Sequence, residues 1–302
     1  MIRYKTIISF KNKILFFIII YIFFCNHYYK KKYEKIKVCL CVIGKLENIY
    51  AKEYVNHYKK LGYDHIYIYD NNNNNSERFS DILFEEIKIG FVSINDFIGF
   101  RGKYNNSQYE AYYDCYNKYS RYYDWLSFFD FDEFLDINTK TIQEFLDKKI
   151  YKNCQNIKIN WLVYNSYNES LFYENKPLKK RFINIFLNDA SNKHIKSTVR
   201  GKIKKNYWSK WLNPHSSGTN FKACSSSGKK IDSKTPFVNP PDYKNAFLKH
   251  FSKKSFEEFC LKLKRGWPDI TDNMIIINNI IKSNKNNKEK RKIIHKIFNI
   301  TN

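Results

Sequence analysis

The sequence predicts an α/β fold: a mostly parallel, Rossmann-like central sheet flanked by helices, behind an N-terminal hydrophobic helix. Three observations carry that expectation. KVCLCVIGK (37–45) is a continuous apolar run of the kind a strand shows when both of its faces are buried. After it, Ile49, Tyr50, Tyr54, Val55, Tyr58 and Leu61 recur at helical spacing, and Gly62 is a natural C-terminal stop. HIYIYD (65–70) then reads as a second strand, so the chain opens strand–helix–strand, the unit of a parallel, helix-covered sheet.

The bulk numbers allow such a domain. A chain of 302 residues can bury a sizeable core, and 43% hydrophobic with 18% aromatic residues excludes wholesale disorder. The net charge of +24 invites a nucleic-acid reading, but the lysines are spread along the chain. The densest runs, KKKYEKIK (30–37) and KNNKEKRKIIHK (285–296), lie outside the central region, and neither zinc-finger spacing nor an RNA-binding signature occurs. No nucleic-acid partner is expected; the charge suits an anionic lipid surface or an anionic substrate. Seven cysteines without a CxxC indicate neither a disulfide framework nor a zinc site, and Cys39 and Cys41 read as small buried hydrophobes.

Ile14 to Cys25 is uninterrupted apolar sequence, with Lys11 and Lys13 before it and Lys30 to Lys32 after. A membrane span needs about 17–25 residues, which this run reaches only with its tyrosine belt and snorkelling lysines. A small-residue cleavage site is missing, so residues 1–35 are expected to be a single-pass anchor and basic spacer. Lysines flank both ends, which leaves the side of the membrane open. A catalytic-sized domain is expected over 36–270 and a basic, Asn/Lys-rich helix or tail over 271–302.

Beyond the opening unit, EEIKIGFVSIND (85–96) is a weaker strand pattern, and residues 106–124 are helical with Ala111, Cys115 and Tyr119 on one face. WLSFFDFDEFLDI (125–137) reads as one strand. A helix near 141–150, strands at NIKINWLVYN (156–165) and KRFINIFLN (180–188), and a long Ser/Gly/Pro/Asn-rich loop over 213–245 follow. KSFEEFCLKLKRG (254–266) is an amphipathic helix with a capping box at Ser255 and Glu258.

The strand at 125–137 poses the functional question, because buried carboxylates are costly unless a cation meets them. Asp130 and Asp132 are two apart, so on an extended strand both point to one face. At the C-terminal end of a central strand that face opens into the ligand crevice of an α/β sheet. Two such oxygens suit Mg²⁺ or Mn²⁺ carrying a diphosphate.

At these residues the chain resembles glycosyltransferase family 92, a set with the GT-A fold close to family 2. The blocks occur in order: IGKLENIYAKEYVNHYKKLGYDHIYIYDNNNNNS, SQYEAYYDCYNKYSRYYDWLSFFDFDEFLDI, INWLVYNSYN, KSTVRGKI with NPH, and HFSKKSFEEFCLKLKRG, over roughly 36–267. Departures are VYNSYNES where the family tends to a glycine, HF for HY at 250–251, and an insert from Cys224 to Pro241.

The resemblance implies a metal-dependent, inverting transfer of a hexose from a nucleotide sugar, UDP-linked, to a glycan or glycoconjugate acceptor. Cys41 to Ile43 would line the nucleotide by main-chain contacts, Glu47 and Asp70 would approach base and ribose, and Gln108 and Asp114 are carried by resemblance. Asp130 and Asp132 are the metal and diphosphate pair, with Mn²⁺ or Mg²⁺, and His250 or His215 is the further ligand. Glu133 would order the loop or coordinate through water. Arg101, Lys103, Lys202, Lys264 and Arg265 are candidate diphosphate or acceptor contacts. Inversion needs a general base, for which Glu169, Glu174 and Asp189 lie in the right part of the chain. A charge-driven nucleic-acid or lipid binder, and a folded but inactive family member, are the competing expectations.

Overall fold

The strand β1 (Val38–Gly44), the helix α1 (Asn48–Lys60) and the strand β2 (His65–Asp70) form the parallel unit that the opening predicts. Tyr50, Ala51, Tyr54, Val55 and Tyr58 are the buried stripe of α1. Gly62 follows its end at φ 89°, a backbone region that glycine enters without strain. The computed structural model describes residues 21, 35–73, 75–97, 107–164, 171–203, 215, 221–252, 254–266, 273–284 and 286–299. Residues 37–302 form one compact unit and 1–36 another. The expected N-terminal helix therefore lies outside the described residues, apart from Tyr21. Among those described, no helix is long and apolar enough to cross a membrane.

The short helices α2 (Phe79–Ile82) and α3 (Phe84–Lys88) lead into β3 (Val92–Asp96), so the first half of the predicted strand at 85–96 is helical. Helix α4 (Ser107–Tyr119) returns the chain to β4 (Trp125–Phe128), and β5 (Glu133–Ile137) follows. The single strand expected at 125–137 is thus two strands broken at the acids. Next come α5 (Ile142–Leu146), β6 (Asn156–Val163), α6 (Leu178–Arg181) and β7 (Ile195–Arg200). The strand expected at 180–188 is absent: that segment is the end of α6 and an irregular loop touching the sheet only where Ile185 bridges Tyr164. The long loop carries two short strands, β8 (Ala223–Ser225) and β9 (Lys230–Ile231). β10 (Ala246–His250), α7 (Phe256–Arg265), α8 (Asn273–Ser283) and α9 (Lys288–Phe298) complete the unit.

The sheet runs β3-β2-β1-β4-β7-β6-β10-β5, with β8 beside β6 and β9 beside β8. It is mixed, which corrects the mostly parallel expectation: β7 lies antiparallel between β4 and β6, and β5 antiparallel to β10. Only the first half, β3-β2-β1-β4, is parallel throughout. Strand order reverses between β1 and β4, the switch point whose carboxyl ends form the ligand crevice of an α/β sheet. Helix α9 covers α7 through Ile293, Ile294 and Ile297 against Phe256 and Cys260.

Two cross-links correct the reading of the cysteines. Cys41 on β1 pairs with Cys115 on α4, and Cys154 pairs with Cys224 on β8. Their partners lie 74 and 70 residues away in sequence, so no local spacing announces them. Cys39 and Cys260 are free and buried, as small hydrophobes are.

Candidate active site

The turn between β4 and β5 reads Asp130-Phe131-Asp132, and its middle residue fixes it. Phe131 is 2% exposed and stacks on Phe79 with centroids 4.8 Å apart. Both rings press on Gly44 at the end of β1, where an added Cβ would sit 2.5 Å from Phe131. Any side chain at 44 would displace the ring that pins the turn. With Phe131 anchored in the core, Asp130 and Asp132 enter two different pockets.

Asp130 meets α4 and β7. Its Oδ1 accepts from Tyr112 Oη at 2.7 Å and from Gln108 Nε2, and Oδ2 accepts from Lys196 Nζ at 2.8 Å. Lys196 is fully buried, whereas the Asp130 side chain keeps 30% of its surface. Burial raises the Asp130 carboxyl, but Lys196 outweighs it and holds the group below its usual range. Glu133 beneath is sealed at 0%: its Oε2 accepts from the Asp130 backbone N–H, and Oε1 has no hydrogen bond. Burial pushes its carboxyl well above the ordinary range despite Lys196. Glu133 orders the turn through that backbone bond, with burial favouring its protonated form.

Asp132 meets β10 and α7. Its Oδ2 lies 3.0 Å from Lys262 Nζ and 3.4 Å from Lys254 Nζ, and Oδ1 lies 3.7 Å from His250 Nε2. Burial raises this carboxyl too, yet Lys262, Lys254 and His250 hold it well below the usual range. Lys254 also approaches Glu47 Oε2 at 3.9 Å and lies over the Tyr50 ring at 4.4 Å, while Arg265 holds Glu47 Oε1 at 2.5 Å. Three buried or half-buried cations thus face two buried acids, an excess of positive charge at the ends of β1, β4 and β10. Lys254 (φ 57°) and Leu46 (φ 54°), beside Glu47, both sit in left-handed backbone that costs about 1–2 kcal/mol each. The helix that brings Lys262 and Arg265 is held at its start by the predicted capping box. Glu258 in that box also receives Arg181 and Tyr50 Oη, so its bonds fix α7 against α1 and α6.

The histidines join through Trp161 on β6. Its ring centroid lies 4.0 Å from that of His250 and 5.2 Å from that of His215. His215 Nδ1 donates to Ile195 O, and burial lowers its value to about 3; burial lowers His250 to about 4. His250 Nδ1 and Trp161 Nε1 are buried and have no hydrogen-bond partner within the protein. Such orphans are uncommon and are the atoms a ligand would satisfy.

The expected metal set does not gather as one cluster: among the described residues no three His, Cys, Asp or Glu side chains are placed to hold an ion. What is present fits a smaller set. Asp132 Oδ1 and His250 Nε2, 3.7 Å apart, offer an oxygen and a nitrogen side by side, and a Mg²⁺-type ion would take its remaining ligands from phosphate and water.

Other predicted residues have partners or positions of their own. Asp70 is sealed at 0% and engaged by Arg78 Nε at 3.0 Å and by Asn72. Cys41 is buried in its disulfide, and Ile43, near the carboxyl end of the same strand, is partly exposed. Asp114 pairs with Lys118 and Tyr69, Lys202 with Asp124, and Lys264 is exposed. Glu174 pairs with Lys176 on the surface, and Asp189 caps a turn by accepting from Ser191 N–H. Arg101, Lys103 and Glu169 lie outside the described residues. The sequence reading missed Lys196, Lys254, Lys262, Tyr112 and Trp161. The lysines carried a signal, standing in KSTVRGKI and in KKSFEEFCLKLKRG, blocks in which only Lys202, Lys264 and Arg265 were singled out.

The glycosyltransferase family 92 model matches residues 34–291. No curated protein matches the chain. Among solved structures, S. aureus TarS aligns over 87% of this chain and 43% of its own at 11% identity, with a TM-score of 0.41. TarS 1–349 in complex with UDP aligns over 87% and 71% at 14% identity, TM-score 0.38. The apo bifunctional glycosyltransferase WbbM aligns over 42% and 23% at 14% identity, TM-score 0.29. The chain therefore spans less than half the length of full TarS.

Proposed function

From the chain's membership of glycosyltransferase family 92, to which it belongs by a match over residues 34–291, we propose the chemistry of its crevice. It transfers a hexose from a UDP-linked donor, with inversion, to a glycan or glycoconjugate acceptor. One observation carries the donor site: Asp132 lies among Lys254, Lys262 and His250 at the β1/β4 switch point. The excess positive charge there suits a diphosphate, to which Lys254, Lys262 and Arg265 donate charge-assisted hydrogen bonds. Mn²⁺ or Mg²⁺, held by Asp132 and His250, would supply Lewis-acid neutralisation of the leaving diphosphate. Trp161 Nε1–H and His250 Nδ1 are the buried polar atoms that a bound ligand completes. Asp130, engaged by Lys196, Tyr112 and Gln108, positions the turn and turns its exposed part to the crevice.

The apolar run at 14–25 anchors the chain, and the two disulfides favour the oxidising side of that membrane for the catalytic unit. Alkylation of the protein as isolated from cells, before and after reduction, checks this: four additional cysteines become reactive on reduction.

Calorimetric titration of the full chain in detergent with UDP, with and without Mn²⁺, tests the donor site. Wild type binds UDP more tightly with Mn²⁺, and Asp132→Ala abolishes that enhancement. A cooperatively folded wild type that binds UDP in neither condition would overturn the UDP reading and favour an inactive family member.

A further inference from the structure

The loop after α6 exposes what a soluble surface hides. Ile183, Ile185, Phe186 and Leu187 are 71%, 49%, 42% and 67% exposed, four large apolar side chains within five residues. Isolated apolar residues on a surface are ordinary; a contiguous exposed run marks an interaction site. The loop is also built to present them. Buried Asn192 donates to the carbonyls of Phe186 and Leu187 and accepts from Val163 N–H, and Phe186 N–H donates to Val163 O. These bonds fix the backbone while the side chains point away from the core.

Basic residues flank the apolar tips. Lys180 ends the run-up on one side; on the other, exposed Lys193 lies over the partly exposed Phe237 ring at 5.0 Å, with exposed Lys234 three residues before that phenylalanine. Apolar tips with exposed lysines before and after them in the chain match a phospholipid interface, where tips enter the acyl boundary and ammonium groups meet phosphates. The apolar run at 14–25 outside the described residues supplies the same occupant from the other end of the chain.

We propose that residues 183–187 form a membrane-contacting rim that seats the sheet's carboxyl end on a phospholipid bilayer. The register ties rim and crevice together: Val163, which holds Phe186, pairs directly with His250. The crevice mouth then opens at the bilayer surface, which suits an acceptor carried there. This inference stands on exposure and charge and survives failure of the UDP reading.

The test uses the full chain reconstituted in phosphatidylcholine vesicles with and without phosphatidylglycerol. An environment-sensitive fluorophore is placed at Leu187→Cys or Ile183→Cys in a Cys25→Ser background, since Cys39 and Cys260 are buried and the other four cysteines are paired. The control is Tyr122→Cys, 52% exposed, just before β4 and hence at the opposite end of the sheet. The expected result is loss of fluorescence at 187 and 183 with nitroxide-bearing lipid, none at 122, and a larger loss with the anionic lipid. Quenching at 187 and 183 by a water-soluble nitroxide only would overturn the proposal. Shielding from both quenchers would equally overturn it, since a protein partner or second copy would then cover the rim.

Discussion

Asp130 and Asp132 stand two residues apart on one turn and carry the same side chain, yet the protein treats them oppositely. Asp130 has Lys196, Tyr112 and Gln108 around it, with a sealed acid beneath, Glu133, whose carboxyl burial pushes up. Asp132 has cations around it in excess, and a histidine whose buried Nδ1 has no hydrogen-bond partner within the protein. The first pocket balances its charge internally and so behaves as structure. The second is left positive and incomplete, which is the electrostatic condition for binding an anion. What divides them is Phe131, whose burial against Gly44 forces its neighbours apart.

The largest effect should come from the balanced side. Lys196→Met leaves Asp130 without its cation beside buried Glu133, and breaking a buried pair costs about 3–5 kcal/mol. Denaturant unfolding should register that loss; an unchanged midpoint would mean that Asp130 is not held as structure.

On the incomplete side the cost should fall on binding. Lys262→Met is expected to weaken UDP about tenfold, or ~1.4 kcal/mol, with uridine unaffected, in titrations made in EDTA. An equal loss for uridine would reduce Lys262 to a packing role.

The acids also titrate in opposite senses. Asp130 and Asp132 are held low, so the stability they contribute is present above their unfolded value of about 3.9 and is lost as pH falls through the folded values. Glu133 is held high, so its contribution is present below about 4.3 and is lost as pH rises through its folded value. Glu133→Gln should therefore stabilise the protein at pH 7 by on the order of 1 kcal/mol and flatten the decline above pH 4.3. A pH–stability profile identical to wild type would show that Glu133 ionises freely.

The smallest effect belongs to Glu174→Gln. Glu174 and Lys176 are 52% and 68% exposed, and such pairs are worth less than about 0.5 kcal/mol. Transferase activity should survive; its collapse would make Glu174 the general base and extend the crevice to that surface.

Much of the first half of the molecule was legible because its causes are local. The apolar run of β1, the stripe of α1 and the Gly62 stop each follow from periodicity or from one residue's backbone freedom, as the Ser255–Glu258 capping box further along follows from bonds between near neighbours. The second half was less so. KRFINIFLN has the composition of a strand, but only Ile185 bridges the sheet, and its apolar residues after Phe182 face outward. Strand identity there depends on which edge is open, which composition does not encode. The antiparallel insertion of β7 between β4 and β6 is equally invisible to local pattern.

By itself the sequence determined that three carboxylates would interrupt an apolar stretch, that an α/β unit would precede them, and that family 92 blocks would surround them. Those are properties of residue order and spacing. Only the tertiary structure decided which acid is paired, which carboxyl burial pushes up and which lies among excess cations. Lys196, Lys254, Lys262 and His250 come from 63 to 130 residues downstream of the turn acids they approach, and pairing at that range is set by packing. The same reason hid the disulfides: Cys41 meets Cys115 because α4 crosses β1. A charge acquires its role from what the fold places within a few ångströms of it, and the strength of that contact depends on how much water the fold removes.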